Sequence, residues 1–107
     1  MSKVKRKLTT ILATDCVGFS KRMDENEELT LENLKACRSI IDPQIKEFGG
    51  RIFYTAGDSV IAEFESPVEC VNAAIGFQKA INDRNNTLSE ESQLDWRVGI
   101  HLDDVII

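Results

Sequence analysis

Leu94-Asp-Trp-Arg-Val-Gly-Ile-His-Leu102 alternates apolar with polar or glycine at all nine positions. A period of two sends every apolar side chain of a strand to one face, so this segment asks for a sheet that is covered on one side. The cover is written in the same chain. Leu34, Cys37, Ile41, Ile45 and Phe48 recur at steps of three and four, the stripe of a helix that faces a core. Gly49-Gly50 stops that helix, and Pro43 inside it is expected to remove a hydrogen bond and bend its last turns. A second helix opens on Ser66-Pro-Val-Glu69, with Ser66 as cap, Pro67 in the first position and Glu69 reaching back to the amide of Ser66. Cys70, Ala74, Phe77 and Ile81 follow at helical spacing, and the polar stretch from Asp83 to Gln93 reads as a loop.

Three further runs are rich in β-branched and aromatic residues: Leu8 to Thr14, Arg51 to Ala56, and Val60 to Phe64. Gly57-Asp58-Ser59 between the last two has the chemistry of a tight turn, which makes them a hairpin. The order β-α-β-β-α-β is the split βαβ arrangement of ferredoxin-like folds, an α+β sandwich with an antiparallel sheet and two helices on one face. In it we expect the first strand to lie beside the hairpin's first strand. The apolar end Val105-Ile-Ile107 is expected to begin another element, and residues 1–107 to be the first portion of a longer domain.

A chain of 107 residues supports one domain. Its net charge is −5, but the first seven residues carry +4, so the remainder carries −9, which argues against nucleic acid as the main partner. Lys3 to Lys7 reads as a solubilising tail. No apolar stretch approaches the roughly 18 to 20 residues of a membrane span, and no signal-peptide core follows the basic start; a cytoplasmic location is expected. Cys16, Cys37 and Cys70 stand 21 and 33 residues apart, unlike a CxxC pair or a zinc array, and are read as plain thiols.

Chemistry concentrates in two places. Asp15-Cys-Val-Gly-Phe-Ser20 sets a carboxylate at the end of the first strand, then a glycine turn and a helix start, where backbone N–H groups can cradle phosphate oxygens. Gly57-Asp58 lies 43 residues downstream in the hairpin turn. Two carboxylates at one phosphate cradle suit Mg²⁺ or Mn²⁺, which take oxygen ligands. By spacing alone Asp58 is equally a turn former and Asp15 a helix cap. His101 and Trp96 read as surface and packing residues, and Asp24 to Glu28 as a solvated helix start.

Taken together, Ile11-Leu-Ala-Thr-Asp15-Cys-Val-Gly18-Phe-Ser20, Gly49-Gly-Arg-Ile52, Thr55-Ala-Gly57-Asp58, Ile61-Ala-Glu-Phe64 and Arg97-Val-Gly-Ile100 resemble the class III adenylate/guanylate cyclase catalytic domain over about residues 6 to 107. The resemblance implies conversion of a purine nucleoside triphosphate, ATP rather than GTP, to its 3′,5′-cyclic monophosphate with loss of pyrophosphate. It also implies two Mg²⁺ or Mn²⁺ ions and a head-to-tail homodimer. Asp15 and Asp58 match the family's metal aspartates. The main chain of Cys16 and the turn Val17, Gly18, Phe19 and Ser20 match its metal and triphosphate segment. Tyr54, three residues before Gly57, stands where the family usually has a purine-selecting lysine, and Ser59 where glycine is frequent. The family's transition-state asparagine and arginine fall beyond residue 107, so these residues alone are expected to be inactive. A degenerate cyclase homology domain, binding nucleotide or a partner as a regulator, is the other reading.

Overall fold

The computed structural model describes residues 6–106. Strand β1 (Arg6–Cys16) leads through a short helix α1 (Phe19–Glu25) into the long helix α2 (Glu27–Glu47). The hairpin β2 (Arg51–Ala56) and β3 (Ser59–Phe64) follows, then α3 (Pro67–Asn85), a 3₁₀ turn at Glu90–Ser92, and β4 (Trp96–Ile106). The four strands form one antiparallel sheet in the order β2-β3-β1-β4.

The expected split βαβ fold is present, with one neighbour exchanged. β1 pairs with β3, the hairpin's second strand, and β2 lies at the edge. The crossover through α1 and α2 leaves a gap one strand wide between β1 and β2, and the hairpin returns β3 into it, antiparallel to both. Edge placement leaves Phe53 and Tyr54 of β2 exposed, and the ladder slips a register between Ile52 and Tyr54.

One face of the sheet carries the core. Leu12 and Cys16 of β1, Val60, Ala62 and Phe64 of β3, and Trp96 of β4 are buried against Cys37, Ile41 and Ile45 of α2 and Cys70, Ala73, Phe77 and Ile81 of α3. Cys37, Ile41, Ile45, Cys70, Phe77, Ile81 and Trp96 are positions the two periodicities single out. The helix between the first two strands is divided. Asn26 is extended and its Oδ1 accepts the amide of Leu29 at 3.1 Å, so α2 starts there with Glu27 and Glu28 in its first turn. α2 continues through Pro43 to Glu47. Ser66 caps α3 as read, accepting the Glu69 amide at 3.2 Å. α3 runs on to Asn85, three residues into the stretch read as loop. The outer rungs also differ from the reading, because Val105 and Ile106 continue β4 opposite Lys7 and Arg6 and begin no new element.

The ladder between β1 and β3 ends at Thr10 and Phe64, whereas that between β1 and β4 continues through Thr9 and Asp103 to Arg6 and Ile106. Four rungs therefore form a two-stranded ribbon beyond the rest of the sheet. Leu8 on it and Leu102 at its base, opposite Thr10, are exposed although they keep the apolar phase.

The three thiols lie in the core, each on a different element. Burial raises the pKa of all three: Cys16 from 9.0 to about 12, with the Asp58 carboxylate adding to the effect, Cys70 to about 11, and Cys37 in the same direction. A folded-state pKa above the unfolded value means that the stabilisation is complete below pH 9 and is lost as pH rises toward 11 and 12. Unfolding free energy should accordingly fall above pH 9. At pH near 8 a thiol-specific disulfide reagent should label none of the three until urea unfolds the chain, and rapid labelling of any one in the native protein would contradict the burial.

Candidate active site

The end of β1 and the turn of the β2-β3 hairpin meet because Thr14 pairs with Val60 at the start of β3. Strand alternation does the aiming. Cys16 and Trp96 turn inward to the core, so Asp15 and Arg97, which face each other in the β1-β4 register, turn outward. Arg97 Nε donates to Asp15 Oδ1 at 2.8 Å. Gly18 (φ 65°) and Gly57 (φ 57°) take the left-handed backbone that bends the chain from β1 into α1 and from β2 toward β3. Across the gap Asp58 Oδ2 accepts the Cys16 amide at 2.8 Å, which fastens the hairpin turn to the residue after Asp15.

These elements enclose a cleft of about 500 Å³. It gathers six of the residues singled out in the sequence: Asp15, Cys16, Gly18, Phe19, Ser20 and Asp58. Lys21, Ser59 and Arg97 line it as well. Val17, Tyr54 and Gly57 do not. The Val17 amide is held by Asp95 O at 2.8 Å, so it is not offered to a phosphate. Tyr54 stands opposite Ile61 on the edge strand, more than half exposed. Arg97 was the residue missed; its signal was the strand phase, since position 97 has the polar phase of the alternating segment, but the partner across the ladder depends on register.

The donor chemistry fits a hard divalent cation. Asp15 Oδ2 and Asp58 Oδ1 have no hydrogen bond among the described residues, and both acids line the cleft. No group of three or more His, Cys, Asp or Glu side chains comes together among those residues. Main-chain carbonyls, water and phosphate oxygens would therefore complete a coordination shell.

No family model matches the chain. It is 35% identical over 105 residues to "Putative adenylate cyclase 3" of Rhizobium meliloti (strain 1021), covering 97% of this chain and 18% of that protein. It is 29% identical over 106 residues to serine/threonine-protein kinase pkn2 of Myxococcus xanthus, covering 98% of this chain and 13% of that one. The chain thus spans less than a fifth of either curated relative, and the kinase name belongs to the whole of the second. Among solved structures, an adenylate/guanylate cyclase/hydrolase from Silicibacter pomeroyi superposes with a TM-score of 0.86 at 32% identity, over 98% of this chain and 62% of that one. No helix among the described residues is long and apolar enough to cross a membrane. In sequence this chain is thus similar to a putative adenylate cyclase, and in sequence and fold together to an adenylate/guanylate cyclase/hydrolase.

Proposed function

We propose that residues 1–107 supply the metal and triphosphate half of a nucleotide cyclase site. In the whole protein that site converts a purine nucleoside triphosphate to its 3′,5′-cyclic monophosphate and pyrophosphate. The observation that carries this reading is the cleft in which Asp15, Asp58 and Arg97 converge, with Asp58 tied to the Cys16 amide. Asp15 and Asp58 would hold two Mg²⁺ or Mn²⁺ ions. When bound, such ions lower the pKa of a ribose hydroxyl and neutralise charge on a leaving pyrophosphate.

What the protein itself contributes is placement. The Cys16 amide fixes the carboxylate of Asp58, and the Arg97 guanidinium fixes that of Asp15, so neither acid must be ordered when substrate arrives. Arg97 and Lys21 bring two cations to the cleft, and an anionic triphosphate can draw on both. Tyr54 stands outside the cleft. In a head-to-tail homodimer it would instead serve the base site of the second copy, where a tyrosine stacks and hydrogen-bonds but brings no charge.

The test is an assay of the full-length parent with Mn²⁺ and either ATP or GTP, following cyclic nucleotide and pyrophosphate. Weak discrimination between the two in kcat/KM, altered by Tyr54→Lys, is the expected result. Strong native selectivity that Tyr54→Lys leaves unchanged would remove Tyr54 from base recognition. The tyrosine at the lysine position also favours a second reading, a degenerate cyclase homology domain that binds nucleotide as a regulator; nucleotide binding with no cyclic product from the full-length protein would select it.

A further inference from the structure

The turn from Gly18 to Lys21 forms one wall of the cleft, yet no side chain of α1 is fully buried, Phe19 being half-buried against the core. Its placement draws as well on hydrogen bonds at both ends. At the start, the Val17 amide donates to Asp95 O at 2.8 Å. Toward the far end, Arg22 Nη1 donates to Glu90 O and Glu91 O at 3.1 and 3.3 Å. All three bonds land on the segment between α3 and β4. That segment therefore shares in holding the wall with Phe19, packed against the core, and with Thr30 Oγ1 of α2, which donates to Arg22 O at 2.9 Å.

One buried side chain fixes the segment where it meets the turn. Asn85, in the last turn of α3, is 5% exposed. Its Nδ2 donates to Leu94 O at 2.9 Å while its Oδ1 accepts the Leu94 amide at 3.3 Å, so the carboxamide pairs with residue 94 as a neighbouring strand would. The same Nδ2 reaches Asp95 Oδ1 at 3.3 Å. Asp95 then offers its carbonyl to Val17, and two residues later Arg97 meets Asp15.

We propose that Asn85 is a positioning residue for the metal and triphosphate cleft, acting through Leu94 and Asp95 on the Val17 turn and on the register that sets Arg97 opposite Asp15. This rests on the reading of the cleft given above. Asn85 touches neither nucleotide nor metal. Its amide joins the last turn of α3 to the first residues of β4, and an aliphatic side chain there would leave the Leu94 amide and carbonyl buried without partners.

The experiment compares the 107-residue chain with Asn85→Ala and with Ile41→Val, a core change on α2 that touches none of these bonds. Three quantities are read: thermal stability, hydrogen-exchange protection of the Val17 amide, and affinity for Mn²⁺ in the presence of ATP by electron paramagnetic resonance. In Asn85→Ala the Val17 amide should lose protection and Mn²⁺ with ATP should bind about tenfold more weakly, as a misplaced binding wall predicts. Ile41→Val should leave both unchanged after its own stability loss is allowed for. Should Asn85→Ala not fold, Asn85→Ser keeps a polar group at the position and serves in its place. A folded Asn85 variant with wild-type Val17 protection and wild-type affinity overturns the proposal and leaves the cleft's reading standing. Failure of the unaltered chain to bind Mn²⁺ with ATP overturns that reading, and this proposal with it.

Discussion

Asp58→Asn should leave a folded protein whose full-length parent has lost cyclase activity by about three orders of magnitude or more, the several kcal/mol that metal charge stabilisation supplies. The asparagine retains a carbonyl oxygen to accept the Cys16 amide, which Asp58 Oδ2 now takes at 2.8 Å, and removes only the charge. Asp58→Ala removes both and should add a stability loss of about 1 to 3 kcal/mol for the unpaired amide. Asp15→Ala should abolish activity without unfolding, because Arg97 lies on the open face and can turn to water. Activity, urea midpoint and Mn²⁺ binding with ATP separate the two effects. Retained activity in a well-folded Asp58→Asn or Asp15→Ala protein would sink the two-metal assignment.

Phe77→Ala should cost about 3 to 5 kcal/mol, the usual range for deleting a buried aromatic ring and leaving a cavity. Phe77 is wholly buried in the middle of α3 among the helix layer and the sheet. Against a typical total of about 5 to 15 kcal/mol, that loss takes the chain close to its unfolding threshold. Val68, on the exposed flank of the same helix, is the comparison: Val68→Ala should shift stability by less than about 0.5 kcal/mol. Urea unfolding of both variants measures the difference. A Phe77→Ala midpoint close to that of Val68→Ala would show that α3 does not anchor the core.

The helix stripe Cys37, Ile41 and Ile45 and the strand phase of Leu94 and Trp96 were legible because burial is periodic and local sequence records the period. The glycine turns at Gly18 and Gly57 were legible for a similar reason, since the left-handed backbone favours one residue type. Pairing is a different matter. Whether β1 lies beside β2 or β3 depends on how the hairpin returns under the crossover, and no residue in β2 or β3 records it. The same limit hid Arg97, whose partner Asp15 lies 82 residues away. Ile100 and Leu102 keep the apolar phase and are nonetheless exposed, because alternation tells which face a side chain takes and not how far a helix reaches over it. Asn85 gave no signal at all: a polar residue in the last turn of a helix is ordinarily solvated, and only the fold brings the backbone of Leu94 against it.

The ribbon made by the outer rungs of β1 and β4 gives the molecule a graded mechanical character. Its extents are 59 × 25 × 17 Å, with a radius of gyration of 15.7 Å against about 13 Å for a compact domain of this size. The two strands are gripped at one end, between Leu12 and Cys16 and their partners Ile100 to Trp96, by the helices and by β3. At the other end they pair with each other and are tied to the rest of the fold by side chains such as Thr9, whose Oγ1 donates to Phe64 O at 3.2 Å, and Lys7, which meets Glu65 at 3.1 Å. Thermal opening is cheap where two strands stand alone and expensive where a core must part. The same pair of strands is therefore a soft lever at its tip and a rigid mount where Asp15 and Arg97 face each other, and disturbance at the tip can fray without reaching the carboxylates.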